Sequence, residues 1–228
     1  SFPSLCVSPG CDDSPSFTVN QHLSFDGVRK SLSDLKKRVE QICEEEFNRI
    51  RLQDFCYLTL DPNTAHLLLI LSGKNRVVKC SDTKERYSDH PERFDTWTQV
   101  LCKESVCGRC YWEAERSGDV FISVSYKEIG RKGRGYECVF GYNSQSWSLL
   151  CSSSSVFFCH NNIKTKLRGP SSSRIGVYVD HSAGTLSFYS VSKTMKLLHR
   201  VHTTFTQPLY AGFRMWSNNS SVRFNDPK

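Results

Sequence analysis

Long hydrophobic runs are missing from this chain of 228 residues. The longest, Leu67 to Leu71, falls far short of the roughly 20 apolar residues that a membrane-spanning helix needs, so no membrane partner is expected. Methionine is scarce, with two in the sequence and none at the start, and the opening SFPSLCVSPGCDD has neither a basic start nor an apolar stretch of signal-peptide length. The chain reads as a fragment excised from a longer protein, without a secretory address. Catalytic constellations are missing too. In Gly130-Arg131-Lys132-Gly133-Arg134-Gly135 the dinucleotide fingerprint fails, because Cys138 stands where its last glycine belongs. No phosphate-loop Lys-Ser or Lys-Thr follows a glycine run, and no Gly-x-Ser-x-Gly elbow occurs. Cys102, Cys107 and Cys110 have no second Cys-x-x-Cys or His-x-x-x-His to complete a zinc site. The fragment is expected to be no enzyme, with no catalytic residue, no metal and no cofactor.

Strong charge bias is also lacking. Thirty basic against 23 acidic residues give a net charge of +7, which favours acidic partners or RNA without amounting to a nucleic-acid signature. Eleven cysteines, an odd number scattered from Cys6 to Cys159 in a chain too long to need a disulfide framework, suit a reducing compartment, and the cytoplasm is the expected location. Two overlapping sequons at Asn218 and Asn219 point the other way, but such triplets arise often by chance.

What is present divides the chain. Residues 1–23 are rich in Ser, Pro, Asp and Cys without periodicity and read as an extended lead-in. Over residues 24–53, Val28, Leu32, Leu35, Val39 and Ile42 fall at alternating steps of four and three, the a/d stripe of a coiled coil, with Ser24 or Asp26 as the cap. The stripe is read as the seam of a homodimer, and the competing reading is an amphipathic helix lying on the domain that follows.

Beyond Asp54 the period drops to two. Alternation in Asp119–Tyr126 predicts a half-buried strand, and Arg174–Asp180 and Thr185–Tyr189 flank a tight hairpin at His181-Ser182-Ala183-Gly184. Further strands are predicted at 57–60, 66–71, 76–80, 99–101, 110–115, 136–141, 146–151 and 208–213. About a dozen short strands behind one helix predict a mostly β fold, a two-sheet antiparallel sandwich. Two loops carry recognition chemistry: the charged SDTKERYSDHPERFDT at 81–96, with Tyr87 and Phe94, and the basic KEIGRKGR at 127–134 beside Tyr126 and Tyr136. The second loop makes weak RNA binding physically available, through phosphate contacts with a stacking aromatic.

Four motifs in order carry a resemblance. Leu58-Thr59-Leu60-Asp61-Pro62-Asn63-Thr64-Ala65 resembles the opening of a PRY segment, and Tyr111-Trp112-Glu113-Ala114-Glu115 the family's Trp-Glu-Val-Glu strand. Val177-Tyr178-Val179-Asp180 through Gly184-Thr185-Leu186-Ser187-Phe188-Tyr189 resembles its hairpin, and Pro208-Leu209-Tyr210-Ala211-Gly212-Phe213 its closing strand. The chain thus resembles a PRY-SPRY domain of concanavalin-like fold, with a PRY segment at 54–104 and a SPRY segment at 105–228. Its helix resembles the coiled-coil end of tripartite-motif proteins, most of all their large fish-expanded group.

The resemblance implies a substrate-targeting module of a RING-type ubiquitin ligase in innate antiviral immunity. The RING and its zinc would belong to the intact protein alone. It also implies a protein target held by variable loops at one end of the sandwich, here 81–96, 126–135, 147–155, 190–193 and 214–218, while Trp112, Tyr178, Leu186 and Phe188 serve the core. The candidate partner-binding residues are Tyr87, Phe94, Tyr126, Lys127, Arg131, Lys132, Arg134, Trp147, Arg214 and Trp216. After Trp147 some relatives place further pocket tryptophans where this chain has Ser148-Leu149-Leu150-Cys151-Ser152, so that pocket is not carried over. The alternatives are an RNA or other ligand sensor using 127–134, and a PRY-SPRY domain from a nucleotide-binding leucine-rich-repeat receptor or a butyrophilin-like protein.

Overall fold

A computed structural model describes residues 25–169, 172–192 and 194–226. The lead-in expected at 1–23, the Ser24 cap and Lys193 lie outside the described residues. Two compact units divide the chain between Gln41 and Ile42, and helix α1 (Asp26–Gln53) contributes to both. It is built of straight-chain helix formers with Asp26 in the first turn and Arg51 in the last, charges that complement the helix dipole.

In the first unit the described residues from Asp26 onward are helical, and Val28, Leu32, Leu35 and Val39 are each more than half exposed. Lys36 and Glu40 form an i,i+4 pair at 3.9 Å.

The second unit is the sandwich. Its strands in chain order are β1 (Leu69–Ser72), β2 (Val77–Cys80), β3 (Gln99–Leu101), β4 (Arg109–Ser117), β5 (Val120–Tyr126), β6 (Ser146–Cys151), β7 (Val156–His160), β8 (Ile163–Lys166), β9 (Arg174–Asp180), β10 (Thr185–Val191), β11 (Met195–His202), β12 (Leu209–Met215) and β13 (Ser221–Asn225). One sheet has seven strands in the order β1-β2-β13-β4-β9-β10-β11, the other six in the order β3-β12-β5-β6-β7-β8. Every pairing within them is antiparallel, as the alternating sequence pattern predicts. Trp112, Val177, Leu186 and Phe188 of the larger sheet share one core with Ile122, Leu149 and Phe213 of the smaller. Each such side chain contributes about 1.5–3 kcal/mol by burial. The β9–β10 hairpin turns on Gly184, whose φ of +65° suits glycine.

Several local expectations change. Tyr178 is half-buried, packed against the small cluster of Phe47, Tyr111 and Val191 rather than within the main core, and its hydroxyl donates to Asp54 at 3.2 Å. The segment 57–60 forms no strand: the Thr59 N–H and hydroxyl both donate to the Glu104 carboxylate, at 2.7 and 2.6 Å, and the Leu60 N–H donates to the Asn75 carbonyl. The segment 136–141 begins as a 3₁₀ turn at Tyr136–Cys138. Strand β5 is buried on both faces. The face carrying Ser123 is dry because its hydroxyl accepts from Ser148 at 2.8 Å, and Gly212 and Gly141 let Phe140, Ser148 and Cys159 approach closely. Strands β7, β8, β11 and β13 were not anticipated. Cys56 and Cys110 are paired, with Cα atoms 5.6 Å apart, where free thiols were expected. The bridge between Phe55 and Tyr111 lays these neighbours side by side.

Candidate protein-docking face

The outer face of the smaller sheet is roofed by residues 127–143, and two side chains fix that roof. Gln99 on β3, fully buried, donates to the Cys138 carbonyl and accepts from the Phe140 N–H. The Asn143 amide donates to the carbonyls of Tyr136, Glu137 and Val139 at 3.0, 3.2 and 2.8 Å. These bonds replace the ladder bonds a strand would have had, and they set Tyr136, 56% exposed, against Tyr142 with ring centres 5.4 Å apart.

Beside this pair, Arg214 on β12 stands opposite Gln99 on one side and Phe121 of β5 on the other. Its guanidinium lies 4.8 Å from the ring centres of both Trp97 and Phe121, 5.0 Å from Trp216 and 5.8 Å from Tyr142. Arg214 is 6% exposed whereas Trp216 is 56% exposed. Burial lowers the Arg214 pKa from its ordinary value, and Tyr142 and Cys159 oppose that shift. Burial also pushes the Cys159 thiol up to about 11, with Lys164 and Arg214 pulling it back. The result is a buried cation within aromatic faces, rimmed by two exposed rings.

The expected site residues separate into three groups. Arg214 and Trp216 come together in this cluster. A second group is turned inward at the neighbouring loops. Phe94 is fully buried, edge-on to Phe140 at 5.7 Å, with Arg131 4.8 Å above its ring. Arg131 donates to the carbonyls of Ile129 and Lys127, and burial lowers its pKa. Tyr87 donates to the Leu69 carbonyl at 2.8 Å beneath Arg93, which itself reaches the carbonyls of Pro62, Ala65 and Ser88. Lys127 pairs with Glu92 at 3.3 Å, Lys132 donates to the His90 carbonyl, and the Asp95 carboxylate holds the Gly133 N–H. The loops 81–96 and 127–134 are therefore stitched to one another, and of the four basic residues in 127–134 only Arg134 lacks a partner among the described residues.

The third group is core. Tyr126 and Trp147 meet edge-on at 5.4 Å, Trp147 stacks on His160, and the Tyr126 hydroxyl accepts from the Thr206 N–H. At 8% and 3% exposure, they support the fold rather than present a surface. Sequence reasoning missed Trp97, Phe121 and Tyr142 as companions of Arg214, and Tyr136 as the ring set against Tyr142. Their positions span β5, the roof and the segment before β3, and no local spacing links them.

Rigid strands thus hold exposed rings around a buried charge, which is the equipment of a binding module. Residues 109–228, more than half of the chain, match the SPRY domain, and the chain belongs to that family. Residues 58–106 match the SPRY-associated domain PRY, and residues 1–45 the coiled-coil region of TRIM proteins, so this is a PRY-SPRY domain from a tripartite-motif protein. Mouse tripartite motif-containing protein 16 is 32% identical over 211 residues, 87% of this chain and 38% of that protein. The beta subunit of stonustoxin from Synanceia horrida is 43% identical over 162 residues, 69% of this chain and 23% of that subunit. Among solved structures, the TRIM65 PSpry domain superposes with a TM-score of 0.72 at 29% identity, covering 79% of this chain and 96% of that one. The stonustoxin structure gives 0.73 at 32% identity, covering 77% and 29%. The chain spans less than two fifths of the two curated relatives. Among the described residues no helix is long and apolar enough to cross a membrane.

Proposed function

We propose that this domain selects a protein target for a cytoplasmic tripartite-motif ubiquitin ligase acting in innate antiviral defence, and that it does so with the Arg214 face. The observation that carries the reading is the pair of exposed rings, Tyr136 and Trp216, mounted on hydrogen-bonded supports beside a buried guanidinium. Aromatic and arginine side chains on a preorganised surface are the usual anchors of protein recognition. Ligase chemistry would reside in a RING of the intact protein, and the exposed stripe Val28, Leu32, Leu35, Val39 and Ile42 would join two copies so that two weak sites act together. The match to mouse tripartite motif-containing protein 16, long enough to reach beyond the sandwich into the helix, favours this parentage over that of the toxin subunits.

The test is comparative capture from infected and uninfected cells with the wild-type chain and with Tyr136→Ala/Trp216→Ala, both checked for equal thermal stability. A target that is lost with the double variant, and that binds the purified wild-type domain directly, supports the reading. Identical capture by both proteins overturns it. RNA binding has less support, because Lys127, Arg131 and Lys132 already have carboxylate or carbonyl partners.

A further inference from the structure

Two donors in the Arg214 cluster have no acceptor. Nη1 of Arg214 and Nε1 of Trp97 are both buried and without a hydrogen-bond partner, and the Trp97 ring centre is 4.8 Å from the guanidinium carbon. Among the described residues no carboxylate lies within ion-pair distance of Arg214. The other two buried arginines of this domain have more: Arg76 reaches Asp226 and the Leu58 carbonyl, and Arg93 reaches three carbonyls, although its Nε is also without a partner.

A buried donor left unpaired destabilises the fold, and aromatic faces compensate a cation only in part. Two such donors in one aromatic cluster, with the guanidinium carbon 4.8 Å from the Trp97 ring centre and 5.0 Å from that of the exposed Trp216, describe a site from which an acceptor is missing.

We infer that the site takes an Asp or Glu side chain of the target protein, its carboxylate reaching Arg214 and the Trp97 indole N–H while neighbouring apolar side chains lie on Trp216 and Tyr136. The inference rests on the recognition reading above and names the chemistry it selects. Three features favour a peptide carboxylate. The missing group must accept from a guanidinium and an indole together, which a carboxylate's two oxygens do. The rim is aromatic, so the group should arrive with apolar neighbours. The chain carries an excess of seven positive charges, which steers acidic segments toward it. Trp216, more than half exposed, is the ring that must turn to admit the carboxylate.

The experiment uses displayed random linear peptides, selected on the wild-type chain and on Arg214→Met, Arg214→Lys and Trp97→Phe. Wild type should enrich peptides with Asp or Glu at one fixed position between apolar residues. A synthetic winner should bind about tenfold or more tightly than its Gln or Asn analogue, the ordinary margin of a charge-assisted bond. Arg214→Met should abolish that acid preference. Trp97→Phe, which keeps a ring and deletes only the N–H, should reduce it, and Arg214→Lys, which keeps the charge and serves as the folding control, should retain part of it. A motif without a fixed acidic position, equal binding of the acid and amide peptides, or no enrichment at all would overturn the inference. Should that happen while Tyr136→Ala/Trp216→Ala still loses a protein target, target recognition stands and only the carboxylate falls. Should the double variant keep every target, recognition by this face falls with it.

Discussion

Arg51, near the end of α1, forms an ion pair at 2.9 Å with Glu113 of β4, a carboxylate with no solvent exposure. Arg174 approaches the same carboxylate at 3.5 Å, and the Tyr111 hydroxyl donates to it at 2.9 Å. Phe47, one helical turn earlier, packs edge-on against Tyr111 at 6.3 Å. The last turns of α1 are therefore fastened to the larger sheet by one buried charge and one buried ring.

Breaking that pair from one side strands a buried charge, which costs about 3–5 kcal/mol where the geometry is close. Arg51→Met should cost the lower part of that range, since Arg174 remains, and should speed amide exchange over residues 42–53. Adding Glu113→Gln should restore much of the loss, because the Tyr111 hydroxyl keeps a partner in the amide oxygen. Denaturant unfolding of the four proteins of the cycle gives the coupling directly, and a coupling near zero would mean that Phe47 alone holds the helix.

Gly184 offers a cleaner test of backbone geometry. A Cβ there would sit 2.0 Å from the Thr203 carbonyl oxygen, on a residue whose φ is +65°. Gly133 also has positive φ, +104°, but its Cβ would meet nothing within 4 Å. Gly133→Ala should therefore cost only the conformational strain, about 1–3 kcal/mol. Gly184→Ala adds displacement of the β10–β11 hairpin edge, and should destabilise more. Melting temperatures of the two variants decide it, and equal losses would show that the hairpin yields freely.

The parts of this fold that sequence made legible are those whose information is local. Val120, Ile122 and Val124 alternate because one sheet face meets the core, and the Gly184 turn is written in its own residue type. Strand β8 escaped because its side chains are all exposed, leaving no alternation to read. The 3₁₀ turn at Tyr136 escaped because its backbone is satisfied by Gln99 and Asn143, whose roles depend on the finished sheet. The docking face was half legible. Arg214 and Trp216 lie two apart in one strand end, whereas Trp97, Phe121 and Tyr142 reach them only through strand pairing. Phe94, Tyr126 and Trp147 looked like anchors because loops and strand ends favour exposure, but Phe94 is buried against Ile129 and Phe140 of the roof, and Tyr126 and Trp147 pack into the main core.

The heptad stripe leads to a prediction about assembly. Leu35 and Val39 are 58% and 51% exposed, and a stripe of such residues at coiled-coil spacing gains stability by pairing with another copy. Short coils pair weakly, so light scattering should show mass rising above 26.1 kDa as concentration increases. Leu35→Glu/Val39→Glu should hold the mass at the monomer value and leave the sandwich's melting unchanged. A wild-type chain monomeric at every concentration would remove the dimer from the proposed function of this segment.

Acid should weaken the domain through His66. This imidazole is 7% exposed, and its Nδ1 accepts from the Leu68 N–H at 3.1 Å. Burial lowers its pKa below the ordinary 6.5, helped by the positive charges of Lys84 and Arg93 and opposed by the Asp95 backbone and carboxylate. A histidine held neutral in the folded state binds its proton more readily when unfolded. Its contribution is therefore complete above the unfolded value of 6.5 and is lost as pH falls through the lowered folded value. His199 on β11 is shifted the same way by burial. Denaturation midpoints should fall between about pH 7.5 and about pH 5.5, a window in which ordinary carboxylates stay ionised. His66→Asn offers the Leu68 N–H an amide oxygen in place of Nδ1 and cannot take up a proton, so it should flatten that fall while changing stability little at the upper pH. A fall equally steep in His66→Asn would assign the acid sensitivity to His199 or to another group, and the double variant with His199→Gln separates those two cases.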